Sequence, residues 1–516
     1  MSRIVFSVVG LSTSSGTTLG IQLKEPPAFG RQAVELSVSA TDPTFQALHG
    51  VPPENAVREA GRVLFDALIA NNPDLRKHIE AALLVQPPNR FPVFVELTTG
   101  GAEGFPWEAL CTQDGDFLGL DERWAVGRIV ESISPLPGTW LFEPPLRIAA
   151  VLSCLGVPGA PEWGALRAAC EASEVPVELV VLVSEDALHQ EISAAGLDWV
   201  TVEFVPSTVV DIAARLQTFN AHVLHMFCHG LSTGTSPHLQ VATRADWLEG
   251  TASSLMVEAR DLRSFNPPID NLPWLVVLNS CETAAAGDPE SARSVALDLI
   301  AEGGVPAVVG MREPVRSDDA TLFTRAFYDQ LLPEVNRLLD PERSADPVDW
   351  ARLVVSAREQ IAEQYEPLDA QRGTKKEWTL PVVYSRPASF QVQPVAPSAP
   401  VPPAPVPPAP DGPPPPDPGQ APPDAVQPPP PAPDPAAPAP GPGDRVRPPL
   451  DGQPGAGGAE QPPPEAGESS RSLALSVRAL TGLRAQVEAA GDPEMLAHID
   501  QEIARLQALL DGRRSP

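Results

Sequence analysis

From Arg147 onward the chain repeats one pattern: a short apolar run, a segment of helical spacing, then another apolar run. The runs are Arg147–Leu152, Val177–Val183, Val200–Val205, His222–Cys228, Trp274–Leu278 and Val305–Val309. Helical spacing fills 161–172, 185–195, 209–218 and 291–302, between most of the runs. A strand that is apolar on both sides of its pleat must be covered on both faces, and parallel neighbours need crossovers long enough to hold a helix. The pattern therefore predicts an α/β fold: a mostly parallel sheet flanked by helices. Two more helices are predicted at 318–333, capped by Ser317 or Asp318, and at 346–364. Leu380–Tyr384 reads as a last strand.

Residues 1–45 alternate apolar and polar side chains, as in Ile4-Val5-Phe6-Ser7-Val8-Val9 and Ala33-Val34-Glu35-Leu36-Ser37-Val38, which predicts antiparallel strands. The first apolar run is too short, and too poor in a following small-residue cleavage site, to read as a signal peptide. Residues 54–84 have helical spacing, and Phe91–Leu97 reads as a strand again. The expected arrangement is an α+β N-terminal region over 1–90 and a sheet domain over 91–388.

About half of the 64 prolines fall between 391 and 470. A stretch so rich in Pro, Gly and Ala cannot bury enough apolar surface to offset the entropy of ordering it, so 389–470 is expected to be a disordered, extended linker. Beyond it, Leu473, Val477, Leu480, Leu483 and Val487 form one stripe, and Leu496, Ile499, Ile503, Leu506 and Leu510 a second. Gly491, Asp492 and Pro493 separate them as a helix stop and start, so 471–516 reads as an amphipathic helical hairpin. Two such short helices need a partner, expected for residues 471–512.

The formal net charge is −30, from 36 basic and 66 acidic residues. That balance repels phosphate backbones and anionic membranes, so neither nucleic acid nor membrane is expected as a partner. No apolar run approaches the roughly 20 residues that span a bilayer. The odd cysteine count of 5 in a long chain argues against a disulfide framework and for a reducing, cytoplasmic setting.

Two segments carry candidate chemistry. In Ala221–Gly230 an apolar strand ends in His229, followed by Gly230; in Trp274–Thr283 another ends in Cys281. Parallel sheets place their sites at the carboxyl ends of strands. If the two strands are neighbours, His229 and Cys281 meet in one cleft. A free thiol is mostly protonated at neutral pH; a nearby imidazole takes its proton during attack and returns it to a leaving amine. The backbone N–H groups of Gly230 and Cys281 are candidate oxyanion donors. A zinc site at His222, His225, Cys228, His229 and His238 is disfavoured, because His222 and His225 leave a strand on opposite faces. Gly10–Thr18 lacks the glycine spacing and lysine of a phosphate loop. No cofactor or metal is expected.

These segments resemble the CHAT family, a caspase-like domain. The resemblance rests on Phe227-Cys228-His229-Gly230, on Leu275–Ala284 around Cys281, on Ala301–Gly310, and on the helix with Asp319, Thr321, Phe327 and Tyr328. Upstream, Phe105-Pro106-Trp107-Glu108 and Arg128-Ile129-Val130 also match, so the resemblance covers about 90–386. It implies a caspase-hemoglobinase fold, a Cys–His dyad, and a regulated cysteine endopeptidase acting on a protein or peptide substrate, in bacterial signalling or defence. Related enzymes carry Asp-Ser-Cys, whose aspartate selects basic residues. This chain has Asn279 there, so Asn279 is the candidate substrate-binding residue and a basic preference does not carry over. The competing expectation is a catalytically silent adaptor that recruits partners through its Pro-rich arm and C-terminal helices.

Overall fold

The computed structural model describes residues 3–13, 16–25, 33–38, 43–48, 52–53, 55–70, 73–83, 90–98, 102–132, 139–231, 238–250, 254–258, 261, 272–280, 294–313, 315–340, 347–365, 373–395, 500, 503–504 and 507. The chain opens with strands β1 (Ile4–Thr13), β2 (Gly16–Glu25) and β3 (Ala33–Val38), then helices α1 (Pro43–Gln46), α2 (Ala56–Phe65) and α3 (Pro73–Leu83). Strands β4 (Val93–Leu97), β5 (Val126–Ile129) and β6 (Trp140–Phe142) follow. The alternating part runs β7 (Leu146–Leu152), α4 (Ala160–Glu171), β8 (Val177–Val183), α5 (Asp186–Ala195), β9 (Val200–Phe204), α6 (Val209–Phe219) and β10 (Val223–Phe227). Next come β11 (His229–Leu231), β12 (His238–Val241), α7 (Arg244–Glu249) and β13 (Leu255–Glu258). Then follow β14 (Leu275–Leu278), α8 (Val295–Ala301), β15 (Ala307–Met311), α9 (Ser317–Leu338), α10 (Trp350–Leu353), α11 (Val355–Tyr365), β16 (Pro381–Ser385) and β17 (Val392–Pro394).

Among the described residues a 12-stranded sheet has the order β3-β2-β1-β4-β5-β16-β15-β14-β10-β7-β8-β9. The stretch from β15 to β9 is parallel throughout. β16 joins β15 antiparallel and carries the sheet on to β5 and β4. β1 pairs parallel with β4, and β1-β2-β3 form an antiparallel meander. Strands on the two sides of residue 90 thus share one sheet. A small sheet, β11-β12-β13, fills the interval between β10 and β14.

Strand periodicity sorts the core into two layers. Ala149, Val151, Leu224, Met226, Val276 and Leu278 lie in one cluster with α6 and α8 residues such as Ile212 and Ile300. Ile148, Ala150, Leu152, Val223, Phe227, Leu275 and Val277 lie in the other, with Trp163 of α4, Phe323 of α9 and Ile361 of α11. Predicted strands and helices agree with the observed ones to within a few residues, with instructive differences. The reading that ended a helix at 333 stopped at a proline; α9 runs through Pro333 to Leu338, because Leu331, Leu332, Val335 and Leu338 are all buried. Its N-cap is Arg316, not Ser317 or Asp318, and Asp318 and Asp319 stand in the first turn, where the helix dipole favours negative charge. The expected linker start at 389 is too early: Phe390 and Val392 are buried, β17 pairs with β6, and Phe390 packs on Trp140, Trp274 and Trp350. Residues 396–470 lie outside the described residues. So does most of the tail, of which Asp500, Ile503, Ala504 and Gln507 are helical. No helix among the described residues is long and apolar enough to cross a membrane.

One buried ion pair ties the 102–120 segment to β5. Arg128 and Glu108 are fully buried, with Nε to Oε1 at 3.0 Å and Nη2 to Oε2 at 2.8 Å. Arg128 also donates to the carbonyls of Glu103 and Phe105. Burial disfavours both charges, but mutual attraction outweighs it: Glu108 titrates below, and Arg128 above, its usual range. Replacing Glu108 by Ala leaves an uncompensated guanidinium in the core. We predict a loss of about 3–5 kcal/mol of stability, read as a lower urea midpoint. For Glu108→Gln the deficit relative to wild type is full at neutral pH and shrinks as the pH falls through the carboxylate range, because a depressed folded pKa stabilises only where the group is ionised.

Candidate active site

β8 and β9 lie on one side of β7 in chain order, and α6 returns the chain to β10 on the other side. The sheet therefore has its topological switch between β7 and β10, where no connection crosses the carboxyl ends of the strands. Beyond Phe227 the chain turns through Cys228 and enters β11 at His229. Beyond Leu152, Ser153 still bonds Phe227 (N to O 2.8 Å), and the chain then closes a tight turn in which Val157 N reaches Cys154 O at 2.9 Å. Gly156 supplies the φ of 82° that this turn requires.

The turn presents the Leu155 carbonyl to His229 Nε2 at 2.7 Å. A carbonyl only accepts, so Nε2 carries the proton and Nδ1 carries the lone pair. Burial pushes the imidazole below its ordinary pKa, and the Leu155 carbonyl pulls the other way. Cys154 Sγ lies 3.6 Å from both ring nitrogens. A sulfur equidistant from both would collide with Cε1 if it lay in the ring plane. It therefore sits over the ring face, as sulfur does against aromatic rings, and leaves the in-plane lone pair of Nδ1 unengaged among the described residues. Leu155 is backed by Ala242 and Trp247.

On the other side of β10, the register pairs Met226 with Leu278. Ser280 Oγ accepts from Cys228 N at 3.3 Å, so the residue after Asn279 is bonded to the residue before His229. Asn279 itself is 2% exposed. Its amide nitrogen lies 2.8 Å from Glu162 Oε1, 2.9 Å from Thr324 Oγ1 and 2.9 Å from the Ala320 carbonyl, so its two protons are shared among three acceptors below the strand end. The expectation that Asn279 contacts substrate is thus at odds with its side chain, which points into the layer between sheet and helices. Cys281 lies outside the described residues, as does its backbone N–H. Gly230 is buried in β11 opposite Leu239. Past the undescribed stretch the chain resumes at Ser294, the N-cap of α8. Its hydroxyl donates to Glu103, which also accepts from Tyr384 (2.8 Å). Burial raises the pKa of Glu103.

His222, named with His229 in the disfavoured zinc set, stacks on Trp274 and bonds Arg147 at the opposite end of β10. His225 is fully buried, with Nε2 2.9 Å from Glu162 Oε1. Residues that sequence reasoning missed are Cys154, Leu155, Glu162 and Glu185. Glu185 stands two residues past the end of β8, as Cys154 does past β7 and His229 past β10, and the register aligns Val183, Leu152 and Phe227. Its Oε1 accepts from Gly159 N at 2.7 Å, and burial pushes its carboxyl up to about 7. The available signal was positional: polar or sulfur-bearing residues just after each apolar run.

A family model described as CHAT domain matches residues 58–368, more than half of the chain. No curated protein matches it. Among solved structures, the chain is similar to the crystal structure of gingipain R, an Arg-specific cysteine proteinase, at 11% identity and a TM-score of 0.32, over 67% of this chain and 74% of that one.

The geometry predicts that His229 stays neutral to a pH below the ordinary histidine midpoint. Its ring proton signal, followed by NMR in the full chain and assigned with His229→Gln, is expected to titrate below 6.5, the ordinary midpoint.

Proposed function

The chain belongs to the CHAT domain family, and from that premise we propose that it is a cysteine endopeptidase with Cys281 as nucleophile and His229 as general acid and base. The observation that carries this reading is the pairing of Met226 with Leu278 on adjacent parallel strands. Three residues beyond each of them the sequence has His229 and Cys281. The Ser280–Cys228 bond supports the same alignment one residue short of the pair.

In this reading Nδ1 of His229 takes the thiol proton of Cys281 as the sulfur attacks the scissile carbonyl. The Leu155 carbonyl holds the opposite N–H, which keeps the ring in the basic tautomer and stabilises the imidazolium that forms. The negative oxygen of the tetrahedral intermediate is held by the N–H groups of Gly230 and Cys281. The imidazolium then protonates the leaving amine, and water hydrolyses the thioester by the reverse proton path. Cys154 is the other thiol beside His229, but its position over the ring face gives neither nitrogen a line to its proton.

The substrate is a protein or peptide. The decisive experiment compares new N-termini in a proteome treated with wild type, Cys281→Ala, His229→Ala or Cys154→Ala. Cleavages are expected with wild type and Cys154→Ala, and a loss of at least about a hundredfold with the other two. Products that persist in Cys281→Ala would refute the nucleophile. No products from any form would favour an adaptor.

A further inference from the structure

Backbone pairing of β14 with both of its neighbours ends at Leu278. Asn279 and Ser280 are the last residues before Cys281, and side-chain bonds take over their placement. Ser280 is tied sideways to β10 through Cys228 and the Met226 carbonyl. Asn279 is tied downward, to α4 through Glu162 and to α9 through Thr324 and Ala320.

The centre of this arrangement is one atom. Glu162 Oε1 accepts from Asn279 just past β14, from His225 on β10 and from the Thr324 hydroxyl on α9. Glu162, His225 and Thr324 are fully buried. Among the described residues no Lys or Arg pairs with Glu162, and its only ion-pair partner is His225. A carboxyl buried without a guanidinium partner is costly, in contrast to Glu108, which Arg128 meets. Two of the three donors belong to the segments that lead to the reactive residues: His225 is four residues before His229 and Asn279 two before Cys281.

We propose that Glu162 is a positioning residue, whose Oε1 fixes the end of β14 against β10 and so sets where the Cys281 thiol stands relative to the His229 ring. The role rests on the Cys281–His229 reading. It reassigns position 279 from selecting substrate to holding the nucleophile's strand end.

The test is the rate of Cys281 alkylation by iodoacetamide in the full chain, quantified by peptide mass spectrometry across pH, which needs no substrate. Asn279→Asp sets two carboxylates against each other, and Glu162→Gln sets two amides; each is expected to slow alkylation at pH 7 about tenfold. The double variant Glu162→Gln/Asn279→Asp restores one carboxylate facing one amide, and its rate is expected within about threefold of wild type. Thr324→Val removes one donor with little change of shape and is expected to slow the reaction less. If a single variant fails to fold, a folded double variant at the wild-type rate still supports the pairing. Folded single variants at the wild-type rate overturn the role, as does a folded double variant no faster than the singles. An Asn279→Asp chain with unchanged alkylation and altered preference for charged peptides returns residue 279 to the substrate. Wild-type alkylation no faster than in His229→Ala refutes the dyad itself, and is told apart by involving no change at Glu162.

Discussion

Everything at the carboxyl edge of the sheet depends on the parallel pairing of β7 with β10. The chain leaves β7 in one direction, through β8 and β9, and comes back to β10 on the other side. The two strand ends then meet at the topological switch of the sheet. The turn after β7 and the residues after β10 face each other across it, and the bond from His229 to the Leu155 carbonyl closes the gap at 2.7 Å. The histidine's tautomer is thus a consequence of topology: the crossover brings a backbone acceptor to one ring nitrogen and leaves the lone pair on the other.

The buried carboxylates around this edge divide by how their charge is met. Glu108 is held by a guanidinium in a two-pronged pair and secures the loop beneath β5. Glu103 is met by the hydroxyls of Ser294 and Tyr384 and secures the start of α8. Glu162 is met by an imidazole, an amide and a hydroxyl from three different elements. Glu103 and Glu162 flank the stretch that contains Cys281, one on each described side of it. Polar burial of this kind is weak evidence of stability and better evidence of a geometry that something depends on.

Much of the fold was legible in the sequence because it is written in local periodicity. In the run Val177–Val183 the residues from Leu179 to Val183 are buried on both faces, and such continuous apolar composition announces a parallel strand. His229 was legible because it follows such a run directly. The misreadings share a cause. Pro333 forbids a helix by local rules, but Val335 and Leu338 lie on the buried side of α9, and their packing carries the helix on. Phe390 and Val392 look like the start of a Pro-rich tail and are instead pinned by Trp140, Trp274 and Trp350, residues far away in sequence.

The sequence by itself determined the class of fold, the run of strands and helices, and the strand end after which His229 stands. Those properties follow from side-chain spacing over a few residues. Only the tertiary structure decided which strands are neighbours, that a carbonyl from the turn after β7 orients His229, that Cys154 lies on the ring face, and that Asn279 turns inward to Glu162. Each of the last three joins residues more than 70 positions apart. Hydrogen bonds across such separations leave no periodic trace in a single chain, because the fold that brings the partners together is itself the information that is missing.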